Sequence, residues 1–225
     1  IRNSYYLHEP TFSKIEEKNL YDCIKSTFVS TVGKDVSLFE ANLKKYLNAK
    51  DIFLCNSGTS ALHLSLICLG IQNNDEVIVP GFSFVASANA VSYTGAIPHF
   101  VDIENETLGI DPNKLNERLE KISLIKNGNC YNKFTKRRIS AIIPVHIFGH
   151  PCKINEIIKI SKKFKLKIIE DAAESIGSFY KNKHTGTFAD LGVISFNGNK
   201  TITTGSGGAI IINKSKYSKI IKHIG

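Results

Sequence analysis

Arginine is scarce in a chain otherwise rich in positive charge. The 225 residues carry a formal net charge of +9, yet arginine occurs only at Arg2, Arg118, Arg137 and Arg138. Arginine supplies the planar forks that grip phosphates and read base edges. A lysine excess spread along the chain is therefore a poor nucleic-acid surface, and codon bias toward lysine, isoleucine and asparagine accounts for it. The densest basic stretch, "NKFTKRR" at 132–138, reads as a solvated loop.

Paired cysteines are also missing. The five cysteines, at 23, 55, 68, 130 and 152, are odd in number and no two form a C-x-x-C pair. This argues against a disulfide framework and a structural zinc site, and a reducing cytoplasm is the expected location. No apolar run reaches the roughly 20 residues of a membrane span, and no signal-peptide pattern opens the chain. The chain starts at Ile1 rather than Met and stops at "IIKHIG", in or just after a helix-like stretch. It is expected to be a fragment. Neither the G-K-[ST] of a Walker loop, nor G-x-G-x-x-G, nor a G-x-S-x-G nucleophile elbow is found.

What is there is an ordinary globular composition, 42% hydrophobic and 22% charged, long enough for one large α/β domain. To about residue 50 the pattern is helical: "SKIEEKNLYDCIKSTF" and "DVSLFEANLKKYLNA" carry apolar residues at three- and four-residue spacing. The loop "VSTVG" (29–33) between them is expected to face the substrate. From residue 51 strands and helices alternate: "DIFLC", "EVIVP", "IPHFVDI", "ISAIIPVH" and "LKIIED" read as strands. "SALHLSLICLG", "FVASANAVSYTG", "DPNKLNERLEKI" and "INEIIKISKKFK" read as helices, the third with Asp111 as N-cap and Pro112 in its first turn. "GVISF" and "GGAIII" read as a closing pair. Such alternation predicts a mostly parallel sheet with helices on both faces, with ligands bound outside the carboxyl ends of the strands.

Four constellations fall at such ends. "CNSGTSALH" joins a strand, a glycine turn and a helix N-terminus, an arrangement that suits an anion; Gly58, Thr59 and Ser60 are its candidates, with simple helix capping as the alternative. Asp171 ends the buried strand "LKIIED", where a carboxylate suits a protonated pyridine nitrogen, a magnesium ion or a helix cap. Alternation points its neighbour Glu170 the other way. Lys200, in "SFNGNKTITTGSGG", has small neutral neighbours of the kind that suit a Schiff-base lysine, a surface lysine being the alternative. Phe82 or Phe84, after "EVIVP", is placed to stack on a flat ring or to fill the core. His146 and His150 in "PVHIFGHP" raise a metal reading, but Gly149 and Pro151 make the segment a loop and no third ligand is evident. No metal site is expected.

Taken in order, "NSGTSALHLSL", "DEVIVPGFSFVASANAVSYTGAIPHFVDI", "IIPVHIFGHP", "IIEDAAESIGS" and "GVISFNGNKTITTGSGGAI" resemble the DegT/DnrJ/EryC1/StrS sugar aminotransferases, and cover most of residues 25–212. The resemblance implies a fold-type I, pyridoxal 5'-phosphate-dependent α/β/α large domain. It implies that Lys200 holds the cofactor as a Schiff base and later moves a proton. Asp171 would pair with the ring nitrogen, Gly58, Thr59, Ser60 and Ser195 would receive the phosphate, and Phe84 would stack on the ring. Glu174 stands where many relatives carry Gln or His near the phenolic oxygen, and Ser206 interrupts a run that is usually all glycine.

"SFNGNKTITTG" is most similar to the legionaminic-acid and bacillosamine branch. That implies amino transfer from glutamate to C4 of a UDP-linked 4-keto-6-deoxy-N-acetyl sugar, and retention of Lys200 separates the chain from dehydratase relatives that carry histidine. By the same resemblance the expected state is a homodimer, with no nucleic-acid or membrane partner. The expected domains are a helical segment at 1–50 and a cofactor-binding large domain at 51–225, with a small C-terminal domain absent from this chain. A non-catalytic, cofactor-binding regulatory protein of the same fold is the alternative.

Overall fold

The structure, a computed structural model, describes residues 8–225; the first seven positions of the expected helical segment, Arg2 among them, lie outside the described residues. The chain opens with α1 (Lys14–Lys25) and α2 (Lys34–Leu47). It continues through β1 (Asp51–Cys55), α3 (Gly58–Cys68), β2 (Glu76–Pro80), α4 (Val85–Tyr93) and β3 (Ile97–Val101). Next come α5 (Pro112–Ile122), β4 (Ser123–Lys126), β5 (Asn129–Asn132), β6 (Arg138–Ile142), α6 (Ile154–Lys163) and β7 (Lys167–Asp171). The short β8 (Phe179–Tyr180) and β9 (Lys183–His184), then β10 (Leu191–Ser195), β11 (Gly208–Ile212) and α7 (Ser218–Ile224), complete it.

The main sheet runs β1-β11-β10-β7-β6-β2-β3. Neighbours from β10 to β3 are parallel. β11 is antiparallel to both β10 and β1, so β1 shares the common direction and, of these seven strands, only β11 opposes it. The expected pairing of "GVISF" with "GGAIII" is present, but β1 rather than β11 forms that edge. The carboxyl ends of β1, β2, β6, β7 and β10 therefore face one side, and the start of β11 joins them there, Gly208 lying opposite both Cys55 and Ser195.

Strand alternation divides the core into two faces. Phe53, Val77, Val79, Ala141, Ile169, Val193 and Ile210 pack with α3, α4 and α7. The opposite face presents Ile78, Ile139, Ile142 and Ile168 to α5 and α6, and Ile52, Ile194 and Ile211 to α2. Ser140 is the extra residue of a bulge, because Glu76 pairs with Ile139 and Val77 with Ala141. Each fully buried Ile or Leu contributes on the order of 2 kcal/mol. The three-layer α/β/α fold expected from the pattern is the one observed.

The helices form where periodicity and capping agree. In α5 the buried residues Leu115, Leu119 and Ile122 fall on one stripe, and Asp111 Oδ1 accepts the N–H groups of Asn113 and Lys114 at 2.8 and 3.2 Å. In α1 Ser13 and Glu16 form a capping box. No residue of α1 is buried, whereas α2 buries Leu43 and Leu47 against the sheet. Among the described residues no helix is long and apolar enough to cross a membrane.

One expected loop is a structural joint. Residues 123–132 form a hairpin, β4 with β5, extending the sheet beyond β6. Asn132, 3% exposed, donates from Nδ2 to both carboxylate oxygens of Glu76 at 3.2 and 3.0 Å. Arg138 donates from Nε to Asp75 Oδ1 at 3.0 Å and from Nη2 to the Gly70 carbonyl at 2.8 Å. Both ends of "NKFTKRR" are thus anchored rather than solvated, because Glu76 and Asp75 are buried carboxylates that need donors.

Candidate active site

The turn after β1 sets up an anion cradle. Ser57 is the N-cap of α3, in extended conformation, and its Oγ accepts the Ser60 N–H at 3.1 Å. The N–H groups of Gly58 and Thr59, one position earlier in the helix, have no intrahelical acceptor, and the helix dipole places positive potential beside them. Ser57, Gly58, Thr59 and Ser195 all line one cavity of about 450 Å³. Gly58 is needed there: a Cβ would meet Ser195 Cβ at 2.9 Å. Ser206 Oγ donates to the Asn56 carbonyl at 2.7 Å, tying the loop before β11 to this turn.

Asp171, the last residue of β7, is buried in the floor of the cavity. Its Oδ2 accepts from Ser87 Oγ at 2.6 Å and its Oδ1 from the Ala173 N–H at 3.1 Å. Burial holds its carboxyl above the ordinary aspartate range, partly offset by those two bonds and by the charge of Lys200. Glu170 points into the opposite layer, as alternation requires. It is fully buried and accepts the N–H groups of Gly186, Phe188 and Ala189 at 2.8, 2.6 and 2.7 Å. Glu170 shapes the loop before β10.

Lys200 lies in the turn after β10 with its side chain 11% exposed. Its Nζ is 2.8 Å from Glu174 Oε1 and 5.6 Å from the ring centroid of Phe84. Glu174 Oε2 accepts the Phe148 N–H at 3.2 Å. Phe148 is in the left-handed region, φ 51° and ψ 26°, where a residue with a Cβ pays about 1–2 kcal/mol. Phe82 and Phe148 meet nearly edge to face across the cavity wall, with centroids 6.3 Å apart.

The structure thus brings Gly58, Thr59, Phe84, Asp171, Glu174, Ser195 and Lys200 to one cavity. Ser60 is not among the lining residues; its N–H and hydroxyl both turn to Ser57 Oγ, the hydroxyl at 2.9 Å. Residues 29–33 do not line the cavity either. Sequence reasoning missed Ser57 and Phe148. The N-cap position of Ser57, three residues before the Ser60 it caps, was a usable signal, whereas Phe148 depends on a contact with Glu174 across 26 residues. His146 is committed to packing: its Nδ1 accepts the Cys152 N–H at 3.2 Å, so Nε2 carries the hydrogen and faces Glu170 Oε2 at 3.2 Å. Among the described residues no cluster of metal-ligating side chains occurs.

A helix N-terminus, a buried carboxylate and an enclosed lysine thus meet at the carboxyl edge of a parallel sheet. Comparison with known proteins places the chain more closely. It belongs to the DegT/DnrJ/EryC1/StrS aminotransferase family, whose model matches residues 10–224. It is 37% identical over 216 residues to the GDP-perosamine synthase of Escherichia coli O157:H7, covering 96% of this chain and 55% of that protein. It is 38% identical over 194 residues to the UDP-4-amino-4,6-dideoxy-N-acetyl-beta-L-altrosamine transaminase of Campylobacter jejuni serotype O:23/36, covering 86% and 48%. The aminotransferase structure from Psychrobacter cryohalolentis superposes with a TM-score of 0.85 at 28% identity, covering 97% of this chain and 52% of that one. The chain spans about half the length of the curated relatives it matches.

Proposed function

We propose that the chain is the cofactor-binding part of a pyridoxal-phosphate-dependent aminotransferase acting on a nucleotide-linked 4-keto-6-deoxy sugar, with glutamate as amino donor. The observation that carries this reading is the meeting of Lys200, Asp171 and the Gly58–Thr59 helix terminus in one cavity. The residues fit the cofactor. Ser57, Gly58, Thr59 and Ser195 would hold the phosphate, Asp171 the ring nitrogen and Phe84 the ring face.

Bound there, pyridoxal phosphate supplies a carbonyl that condenses with amines and a ring that accepts an electron pair. Lys200 Nζ would be the attachment point for that carbonyl and the base positioned to move a proton at the reacting carbon. The buried Asp171 carboxylate would face the ring nitrogen and favour its protonated form. Glu174 Oε1, 2.8 Å from Lys200 Nζ, would orient that amine in the cavity.

The finer parts of the proposal are the UDP group, the cytoplasmic setting, the homodimer and the two segments divided near residue 50. A UDP-named relative supports the first, but a GDP-named one matches at similar identity. The unburied α1, with Ile15, Leu20, Tyr21 and Ile24 exposed, supports a second copy as partner.

The test is to load the protein with pyridoxal phosphate, reduce with borohydride and locate the added mass. It is expected on Lys200 and absent from Lys200→Ala; a label spread over surface lysines overturns the assignment. Turnover of UDP- and GDP-linked 4-keto-6-deoxy sugars then separates the two nucleotides. Retained cofactor with no turnover of either by a chain of its relatives' full length favours the regulatory alternative.

A further inference from the structure

The chemistry above uses Lys200, Asp171 and the cradle, and leaves the turn at Phe148 without a task. Backbone strain of this kind persists only where the surroundings over-determine it, and it concentrates at functional sites. Three bonds hold the turn. Phe148 N–H donates to Glu174 Oε2 at 3.2 Å, Gly149 N–H to the His146 carbonyl at 3.2 Å, and His150 N–H to the Ile147 carbonyl at 2.9 Å. Gly149, at φ 84°, lets the turn press on the Glu174 backbone; a Cβ there would meet the Glu174 carbonyl oxygen at 3.0 Å.

The strained backbone presents the Phe148 ring, 69% exposed, to the cavity instead of the core. Phe82, 44% exposed on the turn after β2, meets it with ring planes at 68°. Among the polar lining groups, Ser57, Thr59 and Ser195 belong to the cradle and Asp171 to the end of β7, while Glu174 and Lys200 lie beside Phe148 and Phe84. Beside Phe84, which is taken by the cofactor reading, two further apolar rings thus line the cavity and have no part in holding the cofactor.

We propose that Phe148 and Phe82 form the wall of an acceptor subsite that takes the apolar face and the C6 methyl of a deoxyhexose. This rests on the aminotransferase reading of the same cavity. A pyranose presents C–H groups on one face, and a 6-deoxy sugar adds a methyl, so an aromatic wall buries that surface and leaves the hydroxyls to water. Glu174 links the parts, because one carboxylate holds both the Phe148 N–H and Lys200 Nζ. The wall and the reacting amine keep a set separation, and a sugar seated on the rings is held at a defined offset from Lys200.

The experiment compares Phe148→Ala, Phe148→Gly and Phe82→Ala in the cofactor-loaded protein. Kinetics use the keto-deoxysugar nucleotide, and calorimetry measures binding of the aminated sugar nucleotide and of the free nucleotide. All three variants are expected to raise KM and the Kd of the sugar nucleotide about tenfold or more, with the Kd of free nucleotide unchanged within twofold. Phe148→Gly is expected to melt above Phe148→Ala, since glycine accepts the left-handed backbone. Unchanged sugar-nucleotide affinity overturns the subsite. So does a loss of affinity that tracks dissociation of an oligomer in sedimentation, which makes the rings a subunit contact. A wild-type protein of its relatives' full length that captures cofactor yet neither transfers an amino group nor binds the sugar nucleotide defeats the aminotransferase reading itself.

Discussion

Lys200 Nζ and Glu174 Oε1 lie 2.8 Å apart, and the second oxygen of the same carboxylate accepts the Phe148 N–H. One side chain therefore positions the candidate nucleophile and a strained turn together. Glu174→Gln keeps an acceptor for the Phe148 N–H but removes the negative charge that faces Lys200. The Glu174 side chain is 36% exposed, so its ion pair contributes only up to about 1 kcal/mol. Urea unfolding of the protein without cofactor is expected to show Glu174→Gln within about 1 kcal/mol of wild type, and Glu174→Ala less stable than Glu174→Gln. Equal stabilities would mean that the Phe148 turn does not depend on the carboxylate.

Asp171 carries a pH signature. Burial raises its folded pKa above the unfolded aspartate value, so the folded state binds this proton more tightly. Its stabilising effect is present at low pH and is lost as pH rises from the ordinary aspartate value through the raised folded value. Asp171→Asn, which cannot ionise, is expected to melt higher than wild type at neutral pH without cofactor and to lose that part of the pH dependence. The same variant is expected to lower kcat of the loaded protein, as the ring nitrogen loses its counter-charge. A lower melting temperature at neutral pH would show that the carboxylate is stabilising as found.

Gly58 has no space for a side chain. Gly58→Ala places a methyl 2.9 Å from Ser195 Cβ, and relieving such overpacking costs about 1–3 kcal/mol. Cofactor affinity, followed by equilibrium dialysis, is expected to fall by about tenfold or more, in line with that range. Ser195→Gly in the same chain removes the clashing atom and should restore much of the thermal stability. It should not restore the phosphate affinity, because the Ser195 hydroxyl is lost with it.

Glu170 is a structural acid beside a functional one. Glu170→Ala strips the acceptor from the N–H groups of Gly186, Phe188 and Ala189 and from His146. Leaving several buried donors unpaired is expected to cost about 3–5 kcal/mol, read from the urea midpoint. Glu170→Gln, which keeps one acceptor oxygen, should lose less. A cost below about 1 kcal/mol would place water on those donors.

Local signals made much of this molecule legible. The apolar period of α5 with its Asp111 cap and Pro112, the strand–turn–helix passage at Gly58, and the β-branched runs of β2 and β7 act over a few residues. Asp171 was readable as a strand-end acid, because a strand end in a parallel sheet is where ligands bind, whereas Lys200 was singled out by the resemblance of its segment to a known family. Pairings between distant segments were not. Ser206 meets the Asn56 carbonyl across 150 residues and Asn132 meets Glu76 across 56, and no short-range pattern encodes either. The β4–β5 hairpin was missed because Lys126, Asn127 and Gly128 sit among basic and polar residues that also suit a loop.

The sequence by itself determined the alternation of strands and helices, the two-faced sheet and the candidate acid, lysine and cradle, since hydrophobic period, capping and glycine placement are properties of neighbouring residues. Only the tertiary structure decided that β11 runs antiparallel between β1 and β10, that Ser57 rather than Ser60 lines the cavity, and that Glu174 joins Lys200 to Phe148. Those choices depend on which strand ends become neighbours when the whole sheet buries its apolar faces, and that free energy is shared by the entire core.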